Sequence, residues 1–343
     1  MGSLPGETIK KIMIRSPNWI GDAVMTTPAM GAVRAFFPTA EIVLVANPPV
    51  AELFSPHPDC DRVIMYDKKE KHQRISGLLT FCQMLRREHF DLAILFQNAI
   101  EAAVISRLAK IPRRAGYATD GRRFLLSHPV PAGEKERLLH HTDYYLGMLA
   151  ALGIAVPKGP LRLSVTSAEA QQAGKTLENG PWVAVNPGAS YGAAKRWFPD
   201  RFAAVADQLI EKYQVKIVLT GGTGEQDIGR DIETSMTHTP LNLIGRTTVR
   251  EMMAILERCC LLITNDSGPM HVAAALKTPL VAIFGPTDHT TTSPAAAAAR
   301  IVRKDTPCAP CLLRQCPTDH QCMKAVTVDD VLRAAGKFID GQR

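Results

Sequence analysis

Nowhere among the 343 residues is there a run of about 20 apolar side chains, the length a membrane-spanning helix needs. The richest stretch, Val272 to Phe284, is interrupted by Lys277 and Pro279. The residues ahead of Lys10 and Lys11 lack the hydrophobic core of a secretory signal, so a cytoplasmic protein is the expectation. Aromatic residues are scarce at 6%, too few to serve as stacking platforms among the cations, and nucleic acid is not an expected partner. Short-period repeats are missing, which removes solenoids and propellers. The eight cysteines are not spaced like a secreted disulfide framework. Cys60, Cys82, Cys259 and Cys260 are scattered, and the other four crowd into Cys308, Cys311, Cys316 and Cys322.

What is present has the balance of a soluble globular protein, with 46% hydrophobic and 21% charged residues. The length exceeds one ordinary core, so two domains are the natural reading. The net charge of +7 is unevenly placed. Residues 1–165 hold 21 Lys and Arg against 15 Asp and Glu, and residues 166–343 hold 19 against 18. A basic first half suits an anionic partner, although a solvated surface accounts for it equally well.

Short apolar runs alternate with helical stretches. Lys11–Arg15, Glu41–Ala46, Val63–Met65 and Asp91–Phe96 read as buried parallel strands, with helices near Ala23–Phe37 and Leu78–Glu88 between them. Turn formers at Pro157 to Gly159 and Asn179 to Pro181 flank a helix-like segment, Ser167–Leu177. The pattern then restarts, with strands at Trp182–Asn186, Val215–Leu219, Leu261–Thr264 and Leu280–Phe284 and an amphipathic helix at Phe202–Tyr213. The fold class is α/β, in two doubly wound parallel-sheet halves with a ligand cleft expected between them. The domains predicted are 1–165, 166–325 and a last helical segment, 326–343, which packs on its own half or back on the N-terminal one. Ala295–Ala299 reads as a short surface helix.

Each motif with chemical potential follows a predicted strand, where parallel sheets place ligands. Asn18-Trp19-Ile20-Gly21-Asp22 comes after the first strand. Asp22 either caps the next helix or takes a proton from an attacking hydroxyl. Asn186-Pro187-Gly188-Ala189-Ser190 is followed by Lys195, a turn and a cation suited to a departing diphosphate. Gly221-Gly222-Thr223-Gly224-Glu225 is a weaker, generic nucleotide turn, in which Glu225 holds a ribose hydroxyl or starts a helix. Thr264-Asn265-Asp266-Ser267-Gly268-Pro269-Met270-His271 is the most specific. It puts small residues and a helix N-terminus against a phosphate, with His271 in the first turn.

Together, RSPNWIGDAVMTTPA, NPGAS with KRWFP, GGTGEQD and TNDSGPMH followed by PLVAIFGPT resemble the lipopolysaccharide heptosyltransferases, glycosyltransferase family 9. The motifs stand in family order from about residue 11 to residue 290. The resemblance implies a GT-B architecture of two Rossmann-like domains, the acceptor on the first and the donor on the second. It also implies inverting transfer of heptose from ADP-L-glycero-D-manno-heptose to the heptose of the lipopolysaccharide inner core, with no cofactor or catalytic metal. An earlier transfer step, or another acceptor or nucleotide sugar, is the alternative within the family. Carried over by position, Asp22 is the catalytic base and Lys195 the lysine at the donor phosphates. Ser190, Glu225, Asp266, Ser267, Gly268, Pro269, Met270 and His271 bind the donor. Asn18, Arg122 and Arg123 fall on the acceptor side, and Arg113 and Arg114 join them as candidates for gripping acidic sugars. The partners implied are ADP-heptose and a lipid-linked inner-core acceptor, with peripheral contact at the cytoplasmic face of the inner membrane.

Cys308, Cys311, Cys316 and Cys322, with His320 among them, have the ligand types of a structural zinc but not the usual paired spacing; a disulfide, or reduced thiols in a loop, are the alternatives. A dinucleotide-dependent oxidoreductase is the rival from another class. It needs an acidic residue ending the strand after the glycine-rich turn, and Thr237 to Asn242 supplies none.

Overall fold

The computed structural model describes residues 8–157 and 159–342, so the turn expected over 157–159 is seen only at its ends. The chain divides into two compact units between Leu163 and Ser164.

The first unit carries six strands: β1 (Lys11–Arg15), β2 (Glu41–Ala46), β3 (Arg62–Met65), β4 (Leu92–Leu95), β5 (Arg113–Tyr117) and β6 (His128–Val130). They lie in the order β3-β2-β1-β4-β5-β6, and every pairing is parallel. The second unit carries β7 (Trp182–Asn186), β8 (Lys216–Leu219), β9 (Leu241–Asn242), β10 (Leu261–Asn265), β11 (Leu280–Ile283) and β12 (Ala299–Val302). Their order is β12-β11-β10-β7-β8-β9, again all parallel. Read from its other end, this is the first unit's order, the Rossmann 3-2-1-4-5-6 arrangement. The strand order reverses between β1 and β4 in one unit and between β7 and β10 in the other. Outside the carboxyl ends of such strand pairs the flanking loops part, leaving a crevice for ligand.

The central strands form because both faces are covered. In β4, β7, β10 and β11 every residue is buried. The outer strands were harder to see. β5 reads Arg-Arg-Ala-Gly-Tyr and β9 spans two residues, so neither shows an apolar run. β6 contains Pro129, tolerated because an edge strand can leave one ladder donor unused. Ala295–Ala299 is not a helix: Ala299 opens β12, pairing with Leu280 of β11. Pro294 ahead of it and the demand of β11 for a neighbour outweigh the helix propensity of alanine. The helix expected over Ala23–Phe37 is two helices, Ile20–Met25 and Thr27–Phe36, with Pro28 in the first turn of the second.

In the second unit, helix Pro199–Tyr213 buries Phe202, Val205, Ala206, Leu209 and Tyr213, a 3.6-residue stripe. The C-terminal helix, Val328–Ile339, joins the same core through Val331, Ala335 and Ile339, so it packs on its own half. Trp197 ties the segment before that helix to the site loop, its indole N–H donating to the Val326 carbonyl at 3.1 Å. None of the described helices is long and apolar enough to cross a membrane.

Candidate functional site

In the first unit, β1 ends at Arg15, which is buried despite its charge. Its guanidinium donates to the carbonyls of Ser16 and Val45, both at 3.0 Å, and to Asn18 Oδ1 at 3.3 Å. Burial pulls its pKa down to about 10, so it stays a cation. It fixes the loop that carries Asn18, whose carbonyl accepts from Asn47 Nδ2 at 2.8 Å. The helix Ile20–Met25 then begins, and Asp22 stands in its first turn. The Asp22 carboxylate is partly exposed and lies 3.1 Å from His141 Nδ1, at the start of helix His141–Ala151. Beneath it, Tyr145 is buried, its phenol pushed well up by burial and by the charge of Asp22. Asp22, His141 and Asn18 thus share one end of the sheet. Sequence reasoning missed His141; its only signal was a His-His pair opening a helix more than a hundred residues away.

The acceptor-side arginines divide. Arg122, expected on the acceptor side, is fully buried. Its guanidinium donates to the carbonyls of Tyr117 (2.8 Å), Gln97 and Ala99 (3.4 Å) and to Asn98 Oδ1 (3.2 Å). Every side of the fork is spent, on the loop after β4 and on the end of β5. Arg114 is likewise occupied by the carbonyls of Ile111 (2.5 Å), Pro112 (3.0 Å) and Leu125 (2.8 Å). Arg123 is exposed and Arg113 partly so, and these two remain available to a ligand. Replacing Arg122 by Ala strands several buried carbonyls, so it costs about 3 kcal/mol of stability, read as a fall in Tm. Arg123→Ala leaves Tm unchanged and raises the acceptor KM.

In the second unit, the switch between β7 and β10 gathers three loops. Asn265, at the end of β10, is buried; it donates to the Pro187 carbonyl at 2.7 Å and accepts from the Trp197 N–H at 3.0 Å. That one side chain sets the loop after β7 and the turn Ala193–Lys195. Lys195 Nζ sits 2.6 Å from Asp266 Oδ2, with the pair largely shielded from water. Thr287 Oγ1, from the loop after β11, donates to the same carboxylate oxygen at 2.6 Å. Helix Gly268–Leu276 starts beside them. Ser267, its N-cap, does not cap it with its side chain; the hydroxyl is shared with Thr264 Oγ1 at 3.2 Å and Asn186 Oδ1 at 3.5 Å. The amides of Ser267 and Gly268 head a nine-residue helix whose dipole favours an anion. The side chain of Met270 is fully buried and its N–H donates to the Ser267 carbonyl at 3.1 Å. His271 is also buried.

Glu225 caps its own turn, accepting from the Gly222 N–H at 2.8 Å. Its carboxylate also lies over Gly188, where an added Cβ would come within 1.8 Å of Oε1. Only glycine at 188 lets the carboxylate stay against the β7 loop. Gly188→Ala therefore swings Glu225 aside. The expected result is a donor KM raised about tenfold, the loss of one charge-assisted hydrogen bond, with Tm and acceptor KM nearly unchanged. Ser190 is exposed on the same loop, on the way to Lys195.

The four clustered cysteines do not converge on a metal. Cys322 is turned into the second core while Cys308 is exposed, and all four are free thiols. Among the described residues no group of three or more His, Cys, Asp or Glu side chains is placed to hold a metal ion, so the zinc expectation is unsupported.

Two Rossmann-like units, one presenting a partnered carboxylate and the other a lysine beside a helix N-terminus, define a nucleotide-sugar glycosyltransferase of the GT-B class. Comparison with known proteins narrows the class. The family model for glycosyltransferase family 9 (heptosyltransferase) matches residues 78–321. Lipopolysaccharide heptosyltransferase 2 of Escherichia coli is 31% identical, over 85% of this chain and 88% of its own. Lipooligosaccharide heptosyltransferase 2 of Campylobacter jejuni is 30% identical, over 96% of this chain and 99% of its own. The solved structure of E. coli ADP-heptose LPS heptosyltransferase II superposes with a TM-score of 0.83 at 27% identity, covering 97% of this chain and 99% of that one. The chain belongs to glycosyltransferase family 9, the heptosyltransferases.

Proposed function

We propose that the protein transfers heptose, with inversion, from ADP-heptose to the heptose of a lipid-linked lipopolysaccharide inner core, at the cytoplasmic face of the membrane. The observation that carries the chemistry is the pairing of Asp22 with His141 at the ligand end of the first sheet. The partnered carboxylate accepts the proton as an acceptor hydroxyl attacks the anomeric carbon. Inversion needs one displacement and one base, without the second carboxylate of a retaining enzyme.

Donor recognition falls to the second unit. Lys195 and the first amides of helix Gly268–Leu276 face the diphosphate, and Glu225 takes a ribose hydroxyl. As the glycosidic bond breaks, charge builds on the ADP oxygen, and fixed cations and amides favour that charge over the ground state. Asp266 keeps Lys195 extended between turns of binding. The acceptor step, a second rather than a first heptose, rests on the names of the relatives.

The test is a transfer assay with ADP-heptose and two purified acceptors, one ending in acidic sugars and one already bearing a single heptose. Product on the heptosylated acceptor alone is the expected result. Product only on the other moves the enzyme one step earlier, and ADP release on neither removes the donor assignment.

A further inference from the structure

Ten of the twelve large apolar side chains that stand exposed among the described residues lie before residue 164. The first half also holds most of the excess positive charge. The two features meet on one segment. Residues 68–87 contain six Lys and Arg against a single Glu. Within it, helix Arg74–Arg87 buries Phe81, Cys82 and Leu85 in the first unit's core. Its outer side carries Ile75, 76% exposed, and Leu79, 45% exposed, one helical turn apart. Arg74, Arg86 and Arg87 flank them at the two ends and are exposed.

The neighbouring helix Ile100–Leu108 and the turn Arg123–Leu125 cover the same core. Ile100, Leu108 and Phe124 on these elements are exposed as well, Phe124 at 77%.

We propose that this face, centred on helix Arg74–Arg87, docks the enzyme onto an anionic lipid bilayer. The proposal deepens the reading that the acceptor is lipid-linked and names the surface that brings the enzyme to it. Charge complementarity selects the occupant. Arginines at the two ends of the helix lie at headgroup level beside lipid phosphates, while Ile75 and Leu79 enter the acyl boundary between them. A nucleic acid matches the charge but gives the aliphatic pair no apolar bed. Both side chains point away from the core, so changing them leaves the fold intact.

The experiment is co-sedimentation of the purified full chain with phosphatidylcholine vesicles, with and without phosphatidylglycerol, in parallel with turnover on a detergent-dispersed acceptor. Wild type binds only the phosphatidylglycerol vesicles, and salt weakens the binding. Arg86→Glu/Arg87→Glu reduces vesicle affinity about thirtyfold or more. Ile75→Ser/Leu79→Ser reduces it about tenfold. Turnover on the dispersed acceptor stays at the wild-type level for both, and Leu312→Ser/Leu313→Ser, the exposed pair of the second unit, binds vesicles normally. Absence of wild-type binding overturns the proposal while leaving the transferase reading intact. So does unchanged binding by the Ile75/Leu79 variant, which marks a purely electrostatic polyanion site. Loss of binding in the Leu312/Leu313 variant also overturns the assignment to this face. Normal vesicle binding without any heptose transfer upholds the docking face and removes the functional reading instead.

Discussion

Replacing Asp22 by Asn lowers kcat by about two to four orders of magnitude and leaves the donor KM and Tm close to wild type. The substitution keeps the shape and the capacity to hydrogen-bond His141, so the contact at 3.1 Å survives in a neutral form. What is lost is the only property the displacement requires at that atom, the ability to accept a proton. A purely structural role predicts something different. An acid in the first turn of a helix contributes about 0.3–1 kcal/mol through the dipole, and losing it lowers Tm slightly without touching kcat. The groups placed for the donor diphosphate and ribose, Lys195 and Glu225, are untouched by the substitution, so the donor KM stays close to wild type. His141→Ala gives a smaller fall in kcat, about tenfold, because the carboxylate keeps its basicity but loses the group that orients it. Steady-state ADP release, with circular dichroism to confirm folding, reads both. Near-normal turnover by folded Asp22→Asn would remove the base assignment.

The contrast between Asp22 and His141 also shows what a sequence makes legible. Asp266 follows a buried strand directly, and Asp22, Lys195 and Glu225 lie in the loops or first turns after one, so local order alone puts them at the ligand ends of their sheets. The central strands were visible for the same reason, as runs such as Leu261–Thr264 have no use except burial on both faces. His141 comes from a helix that begins far along the chain, and nothing near it marks where that helix packs. Arg122 and Arg123 are adjacent and chemically identical, yet one is wrapped in carbonyls and the other faces solvent. That difference depends on the loop after β4 needing donors, a tertiary demand that no local pattern carries. Ala299 shows the same limit for secondary structure, because pairing with β11 overrides the propensity of five alanines.

Lys195→Met is expected to lower kcat about a hundredfold or more, raise the donor KM, and also destabilise the protein. The last effect has a separate origin from the first two. Asp266 is only 5% exposed in its side chain and Lys195 13%, so removing the cation leaves a shielded carboxylate with Thr287 as its remaining side-chain donor. Breaking such a pair from one side costs about 3–5 kcal/mol, most of it the penalty of the orphaned charge. The double variant Lys195→Met/Asp266→Asn separates the two. With the carboxylate neutralised there is no orphaned charge, and Tm returns most of the way to wild type. Activity does not return, because the diphosphate leaving group still lacks its cation. Asp266→Asn alone frees Lys195 from its tether, and its turnover falls less than that of Lys195→Met. A double-mutant cycle run on both Tm and kcat therefore gives a large coupling energy in stability and a small one in catalysis. Recovery of activity together with Tm in the double variant would mean that Lys195 serves only to neutralise Asp266. The charge on the departing diphosphate would then be met by the amides heading helix Gly268–Leu276 alone.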